Sequence, residues 1–129
     1  MSSVILAEKP DQARHYAAAF AKHKREKGFI EVEDSRFFKR KAYITWGVGH
    51  LVELQEPQEY KEEWGKWSLD TLPILPEVFK FKVDPSKRQQ FNIVKKLLQQ
   101  ANEIILATDC DREGEKHCTF YCHSCWGCI

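Results

Sequence analysis

Cysteine is absent from the first 109 residues of this 129-residue chain, so any thiol chemistry is confined to its last twenty residues. Long apolar runs are absent as well: none approaches the roughly 20 residues that a membrane-spanning helix needs. Residues 1–3 lack the basic start of a secretory signal. These absences predict a cytoplasmic protein without a membrane partner.

The chain also lacks an excess of either charge, because 20 basic and 19 acidic residues give a formal net charge of +1. That balance excludes a simple polybasic nucleic-acid binder. Two local basic clusters, within residues 22–27 and 36–41, are interpreted as solvated loops or helix ends. An apolar content of 43% can supply the core of one domain, and the length is too short for two domains of ordinary size.

Short apolar runs alternate with helical patterns along the chain. Strand-like segments are residues 2–7, 29–33, 42–46, 78–83 and 103–108, and helical spacing marks residues 10–20 and 87–100. This alternation implies right-handed crossovers, so we predict an α/β fold with a central parallel sheet flanked by helices. Residues 55–76 are rich in proline, tryptophan and charge, and are predicted to form an ordered excursion that packs four apolar side chains across the sheet: Trp64, Trp67, Leu69 and Ile74.

Acidic residues follow the first and the last of these buried strands. Glu8 ends the first, and Asp109, Asp111 and Glu113 come after the last. Because ligands bind beyond the carboxyl ends of parallel strands, we expect the carboxylates to share one opening. Carboxylates at this spacing suit Mg²⁺, with Glu8 outside the metal shell as a general acid or base and Lys9 beside a phosphate. The spacing alone is more typical of a polar loop before a helix, with Asp111 and Glu113 favoured at the helix amino terminus.

Four ordered motifs resemble the Toprim domain of type IA DNA topoisomerases, in particular the topoisomerase III branch. They are Leu-Ala-Glu-Lys-Pro at residues 6–10, Trp-Gly-Val-Gly-His-Leu-Val at 46–52, Trp-Ser-Leu-Asp-Thr-Leu-Pro-Ile-Leu-Pro at 67–76 and Ala-Thr-Asp-Cys-Asp-Arg-Glu-Gly-Glu at 107–115. The resemblance runs from Val4 to Glu115. It implies a Rossmann-like Toprim domain that is incomplete at its C-terminal end.

The resemblance also implies roles for individual residues. Glu8 would assist proton transfer at the scissile phosphodiester, and Lys9 would stabilise the phosphate. Mg²⁺ would be held by Asp109, Asp111 and Glu113. Two further residues match positions near the DNA-facing cleft in a supporting role: His50, which is equally typical of a structural histidine, and Arg112.

Members of this family cut single-stranded DNA with a tyrosine that becomes joined to a 5′-phosphate, and then pass and religate the strand. That tyrosine lies in a separate downstream domain. None of the four tyrosines here matches it: Tyr16, Tyr43, Tyr60 and Tyr121. The resemblance therefore implies DNA as a partner, a downstream fragment that carries the remaining domains, and no strand cleavage by this chain alone.

Residues 116–129 depart from the family, which continues at this point with an apolar helix. Back-translation of this tail with one A deleted after the Glu115 codon gives Ser-Ile-Ala-Arg-Phe-Ile-Ala-Thr-Leu-Ala-Gly-Val-Ala, which resembles the missing helix. We hypothesise that the Toprim domain occupies residues 1–115 and that the Cys-rich tail comes from a shifted reading frame. Loss of the helix would uncover one face of the sheet and leave the fold marginally stable.

Two alternatives remain open. The tail contains Cys-x-x-Cys spacings, so it is compatible with a zinc-binding or nucleic-acid-binding module. Its candidate ligands are His117, Cys118, Cys122, His123, Cys125 and Cys128. The acidic residues by themselves also fit a small Toprim nuclease or primase, whereas the motif at residues 67–76 favours a topoisomerase.

Overall fold

The computed structural model of the protein describes residues 2–49 and 51–126, of which 117, 120 and 122–126 are described by their backbone alone. Strands and α-helices alternate through most of this length. The elements are β1 (Ser3–Ala7), α1 (Pro10–Ala18), β2 (Lys22–Glu26), β3 (Phe29–Glu33), β4 (Ala42–Trp46), β5 (Val52–Leu54), α2 (Pro57–Tyr60), β6 (Phe81–Val83), α3 (Arg88–Gln100), β7 (Glu103–Ala107) and α4 (Arg112–Trp126), with short 3₁₀ turns at Glu62–Gly65, Leu69–Thr71 and Pro85–Lys87. None of the described helices is long and apolar enough to cross a membrane.

The main sheet has five strands in the order β2-β3-β4-β1-β7. β1 pairs in parallel with both β4 and β7. The pairs β2–β3 and β3–β4 are antiparallel. The predicted Rossmann-like α/β fold is therefore confirmed, with a mixed sheet in which the three strands around β1 are parallel.

Helices cover both faces of this sheet because side chains alternate along each strand. Ile5 and Ala7 of β1 point to the side of α1, where they join Ala13 and Ala17. Val4 and Leu6 point to the opposite side and join α3. The three fully packed residues of α3 follow the predicted helical spacing: Phe91, Val94 and Leu98.

The edge strand β2 was not expected from the sequence, which predicts a solvated loop or helix end for residues 22–27. Lys22–Glu26 instead pairs along its whole length with β3, while its side chains stay largely in solvent. Pairing with β3 satisfies the backbone hydrogen bonds of β2 on one side. On its open side, the basic side chains disfavour pairing with a strand of another molecule. Residues 36–41 lie in a loop, as predicted.

A helix follows Glu115, contrary to the expectation that this element is lost, but Leu106 of β7 stays 55% exposed on the sheet. α4 spans Arg112–Trp126, and its Cys118 and Tyr121 are buried in the core cluster that contains Leu6 and Leu98. Cysteine and tyrosine three residues apart supply an apolar stripe, so the tail can pack as a helix despite its unusual composition.

The excursion and the two strands that flank it differ from the prediction in three ways. Residues 52–54 form a strand that pairs antiparallel with Phe81–Val83 in a separate two-stranded sheet, and the predicted strand at 78–83 begins only at Phe81. Trp67 and Leu69 were expected to pack across the main sheet. They are instead 91% and 88% exposed.

Candidate metal and phosphate site

The register of the parallel strands brings the two acidic segments together. Ala7, the last residue of β1, is paired with Trp46 of β4 on one side and Ala107 of β7 on the other. The three strands therefore end at one level. Glu8 and Asp109 lie just beyond that level, and the Asp109 backbone N–H donates a hydrogen bond of 3.3 Å to Glu8 Oε2.

Lys9 lies between these two carboxylates. Its Nζ is 3.6 Å from Glu8 Oε1 and 3.6 Å from Asp109 Oδ2. The negative charge of Glu8, and then that of Asp109, raises the pKa of Lys9 above its usual value, so the ammonium is the stable form. The Glu8 side chain is 12% exposed and that of Lys9 61%, so the carboxylate lies at the base of the site and the ammonium at its mouth.

Gln12 joins both halves of the site, and sequence reasoning missed it. Its Oε1 accepts hydrogen bonds from the backbone N–H groups of Glu8 (3.1 Å) and Lys9 (3.3 Å). Its Nε2 donates to Asp109 Oδ1 at 2.5 Å. The one available signal was its place in the first turn of a helix, where a Gln side chain can reach back to the preceding backbone.

The acidic loop is shaped by the start of α4. Asp111 Oδ1 accepts a hydrogen bond of 2.8 Å from the Gly114 backbone N–H, so Asp111 caps the helix. Gly114 was also missed: a Cβ at this position would overlap the Asp109 backbone carbonyl. Thr108 Oγ1 donates to the Gly114 carbonyl at 3.2 Å. The polar-loop interpretation of Asp111 is therefore correct as far as its capping role goes.

The acidic loop lines an open cavity of about 790 Å³ between the end of β7 and the first turns of α4. Its charged lining residues are Asp109, Asp111, Arg112 and Glu115. Glu113 lies in the first turn of α4, is exposed, and is not part of this lining. His50 lies outside the described residues.

Helix α4 contacts the loop that follows β4 at one side of the site. The Tyr121 hydroxyl donates to the Gly49 carbonyl at 3.2 Å. A Cβ on Gly47 would come within 2.7 Å of that hydroxyl and 3.1 Å of the Glu8 carbonyl oxygen. Glycine is thus required where the β4 loop, β1 and α4 meet, and α4 contributes to the architecture around Glu8.

The carboxylate oxygens at this site are ligands that suit Mg²⁺, although the described residues do not form a complete set of metal ligands. In the described part of the chain, no three His, Cys, Asp or Glu side chains are grouped as metal ligands. Glu8 and Asp109 nevertheless share one cation, the Lys9 ammonium, and Asp111 lines the same opening as Asp109. Carboxylate oxygens beside an open cavity are what a hydrated Mg²⁺ ion uses.

The tail offers less support for a zinc site. The Cys118 thiol is buried, with Sγ 3.2 Å from Thr108 Oγ1, and burial raises the pKa of this thiol, which disfavours the thiolate that binds zinc. The side chains of His117, Cys122, His123 and Cys125, together with Cys128, lie outside the described part of the structure.

Comparisons with known proteins agree with this architecture. Residues 3–125 match the Toprim domain. The chain is 41% identical over 116 residues to DNA topoisomerase 3 of Vibrio cholerae serotype O1, in a match that covers 89% of the chain and 17% of the relative. It is 43% identical over 115 residues to DNA topoisomerase 3 of Bacillus anthracis and 40% identical over 115 residues to that of Bacillus subtilis, with 88% of the chain and 15% of the relative covered in each. The chain thus spans about a sixth of the length of these relatives.

Proposed function

This chain belongs to the Toprim family, and from that premise we propose that it supplies the metal- and phosphate-binding part of a DNA topoisomerase 3-like activity on single-stranded DNA. The observation that carries the proposal is the contact of Lys9 with both Glu8 and Asp109. These residues lie just after β1 and β7, which end side by side in the sheet. A solvent-exposed cation held by two carboxylates beside an open cavity suits a site that must bind and release a phosphodiester.

We assign Mg²⁺ to Asp109 and Asp111, with Glu113 as the third acid. When bound, the ion would supply positive charge to a non-bridging phosphate oxygen. Asp109 is held in place for this role by Gln12 on one oxygen, and its other oxygen faces Lys9. Arg112 lines the same cavity and adds positive charge at its edge.

Glu8 and Lys9 are assigned the chemistry at the phosphodiester. Lys9 is a long, exposed side chain, so its ammonium can turn from the carboxylates to a phosphate oxygen. Glu8 is the less exposed of the two carboxylates, and its Oε2 is fixed by the Asp109 backbone N–H. Its other oxygen, Oε1, is 3.6 Å from Lys9 Nζ, and we assign it to hold or move a proton at the sugar oxygen that leaves when a tyrosine takes the 5′-phosphate.

The nucleophilic tyrosine would come from a separate polypeptide region. None of the chain's four tyrosines is assigned this role. Three donate hydrogen bonds elsewhere: the Tyr16 hydroxyl to Ala107 O, that of Tyr60 to Lys80 O and that of Tyr121 to Gly49 O. The fourth, Tyr43, packs its ring edge-on against Phe29. We therefore propose that the chain acts with a downstream fragment, and that this takes place in the cytoplasm where DNA is available.

Calorimetric titration with Mg²⁺ at low ionic strength tests the proposal. Asp109→Asn should weaken Mg²⁺ binding by at least about ten-fold, because it removes one of two assigned inner carboxylates. Glu63→Gln, a change of the same kind at an exposed acid in the excursion, should leave it unchanged. Absence of Mg²⁺ binding by the unmodified chain would refute the assignment, and stoichiometric zinc that stabilises the fold would favour the zinc-binding alternative.

A further inference from the structure

All four carboxylate oxygens of Glu8 and Asp109 already have partners. Gln12 Nε2 donates to Asp109 Oδ1 at 2.5 Å, and Lys9 Nζ lies 3.6 Å from Asp109 Oδ2. On the other acid, Oε2 of Glu8 accepts from the Asp109 backbone N–H at 3.3 Å, and Oε1 lies 3.6 Å from the same Lys9 Nζ. A divalent cation that binds Asp109 directly therefore has to share or replace one of its two partners.

Lys9 is the partner that a divalent cation replaces more easily. Gln12 is fixed by two further hydrogen bonds, which its Oε1 accepts from the backbone N–H groups of Glu8 and Lys9. The Lys9 ammonium lies beyond hydrogen-bond distance of both acids, and its side chain is 61% exposed. Two cations on one carboxylate oxygen would also repel each other. Asp109 Oδ2 is thus the oxygen that a metal ion can take once Lys9 leaves it.

A displaced Lys9 ammonium stays at the mouth of the site. The Lys9 backbone N–H is bound to Gln12, so the residue keeps its place while the flexible four-carbon side chain turns. The open cavity of about 790 Å³ lies beside Asp109 and gives a phosphodiester access to this position. A phosphate oxygen suits the displaced ammonium, since its negative charge replaces that of the carboxylates.

We propose that Lys9 couples the two ligands assigned to this site. In the free chain its ammonium neutralises Glu8 and Asp109, and it moves to a phosphate of single-stranded DNA when Mg²⁺ takes Asp109 Oδ2. Each ligand then strengthens the binding of the other, because both favour the same displaced position of Lys9, and such coupling is reciprocal. The inference rests on the proposed function for the identity of both ligands, and it adds a dependence of one on the other.

Calorimetric titration with Mg²⁺, with and without an excess of a short oligothymidylate, measures the coupling. The oligonucleotide should tighten Mg²⁺ binding by the unmodified chain roughly ten-fold, within the usual range of coupling between two sites. The heat of Mg²⁺ binding to the oligonucleotide alone is subtracted. The reverse titration, with oligonucleotide in the presence and absence of Mg²⁺, should give the same factor.

Lys9→Met removes the ammonium and keeps most of the length of the side chain. Without the competing cation, this variant should bind Mg²⁺ about three- to five-fold more tightly than the unmodified chain, which corresponds to the strength of an exposed ion pair. The oligonucleotide should then tighten Mg²⁺ binding by about two-fold or less, because only the direct attraction between the phosphate and the metal ion remains.

Two variants serve as controls. Lys9→Arg keeps a long cationic side chain, so it should retain both the Mg²⁺ affinity and the coupling of the unmodified chain. Lys66→Met removes the same charge from an exposed position in the excursion between β5 and β6, and it should also behave as the unmodified chain. The melting temperature of each variant shows whether it is folded.

Two results would overturn the inference. One is Mg²⁺ binding by Lys9→Met that is no tighter than binding by the unmodified chain. The other is coupling that is absent from the unmodified chain or persists at full size in Lys9→Met. Failure of the proposed function gives a different pattern: neither the unmodified chain nor Lys9→Met would bind Mg²⁺, and both proposals would be refuted. Binding by both with equal affinity refutes the role of Lys9 alone.

Discussion

Lys9 keeps two carboxylates together at a position where they would otherwise repel each other. Its Nζ is equally distant from Glu8 and Asp109. Because Lys9 and Asp109 are substantially exposed, these ion pairs contribute little to the free energy of unfolding. Their effect is geometric: the acids are already adjacent before a divalent cation or a phosphate arrives.

Replacement of Gln12 by leucine should weaken Mg²⁺ binding roughly ten-fold, the usual effect of losing a group that orients a metal ligand. Leucine has a similar volume but can neither donate to Asp109 nor accept from the Glu8 and Lys9 backbone. Calorimetric titration with Mg²⁺ measures the change.

Tyr16→Phe is the matched control for Gln12→Leu. It removes another hydrogen bond between α1 and the end of β7, from the Tyr16 hydroxyl to the Ala107 carbonyl, without touching a carboxylate. Its expected cost is about 1 kcal/mol of unfolding free energy with unchanged Mg²⁺ affinity. Equal losses of Mg²⁺ affinity in both variants would mean that Gln12 only anchors α1.

Gly114→Ala should destabilise the fold by about 1 to 3 kcal/mol, the range for an added methyl group in a filled space. The new Cβ would overlap the Asp109 carbonyl, which is backbone and cannot turn aside. Chemical denaturation measures the loss. Gly65→Ala is the control: its nearest neighbour is the side chain of exposed Gln58, and a change within about 0.5 kcal/mol is expected. Similar losses in both variants would contradict this account of Gly114.

The site residues that directly follow a strand could be predicted from the sequence. Glu8, Lys9 and Asp109 follow strands that the apolar pattern reveals, so their meeting could be expected. Gln12 was not predictable, because its contact with Asp109 depends on how α1 lies over β7, which local pattern does not encode. The roles of Asp111 and Glu113 as metal ligands stay predictions.

At the scale of elements, α4 has a titratable group in its packed face. Burial raises the pKa of Tyr121 to about 12. A tyrosine that is harder to ionise in the folded state contributes stability below its unfolded pKa of about 10, and this contribution is lost as the pH rises from 10 toward 12.

The unmodified chain should therefore lose up to roughly 3 kcal/mol of unfolding free energy between pH 10 and pH 12 through this group, given the cost of each pKa unit. Tyr121→Phe should have an unfolding free energy about 1 kcal/mol lower at pH 8, because the hydrogen bond to the Gly49 carbonyl is gone. This variant should not show the loss of unfolding free energy between pH 10 and pH 12 that comes from Tyr121. Denaturation curves at several pH values compare the two. Parallel pH profiles would mean that α4 does not pack as described.

The origin of the tail is a separate question from its packing. The helical packing of the tail, with Cys118 and Tyr121 buried, does not test which reading frame encodes it. The shifted-frame hypothesis stays a prediction. Sequencing the coding DNA across Glu115 tests it: an extra A in a frame that otherwise continues supports the hypothesis, and an uninterrupted frame refutes it.

Regular elements were predicted better than irregular ones. Strands β1, β3 and β4 and helices α1 and α3 appear where apolar periodicity places them, because burial on the sheet imposes that periodicity. β7 also forms at the predicted position, but the expectation that it is buried is wrong: it is an edge strand whose Ile105 and Leu106 are 36% and 55% exposed. β2 was missed because an edge strand with solvent-facing side chains has no apolar signal. The excursion was misjudged because two tryptophans suggested burial, whereas Trp67 is almost fully exposed.

For the whole molecule, we expect no nicking or relaxation of supercoiled DNA by this chain in Mg²⁺. The proposed site has carboxylates and a lysine, but none of the chain's tyrosines is assigned as the nucleophile. Agarose-gel assays of plasmid topology measure this. Mg²⁺-dependent nicking that is abolished by Asp109→Asn would contradict the expectation and favour the nuclease alternative, and nicking that survives this change indicates a contaminant.

Because β1 is aligned with both β4 and β7, the same strand register determines the packing of the core and the geometry of the proposed site. In a strand, a slip of one residue turns every side chain to the opposite face. Such a slip in β1 would move Glu8 away from the level of Asp109 and also exchange the residues buried under α1 and α3. A misaligned chain would thus lose its core and the proposed site in the same event.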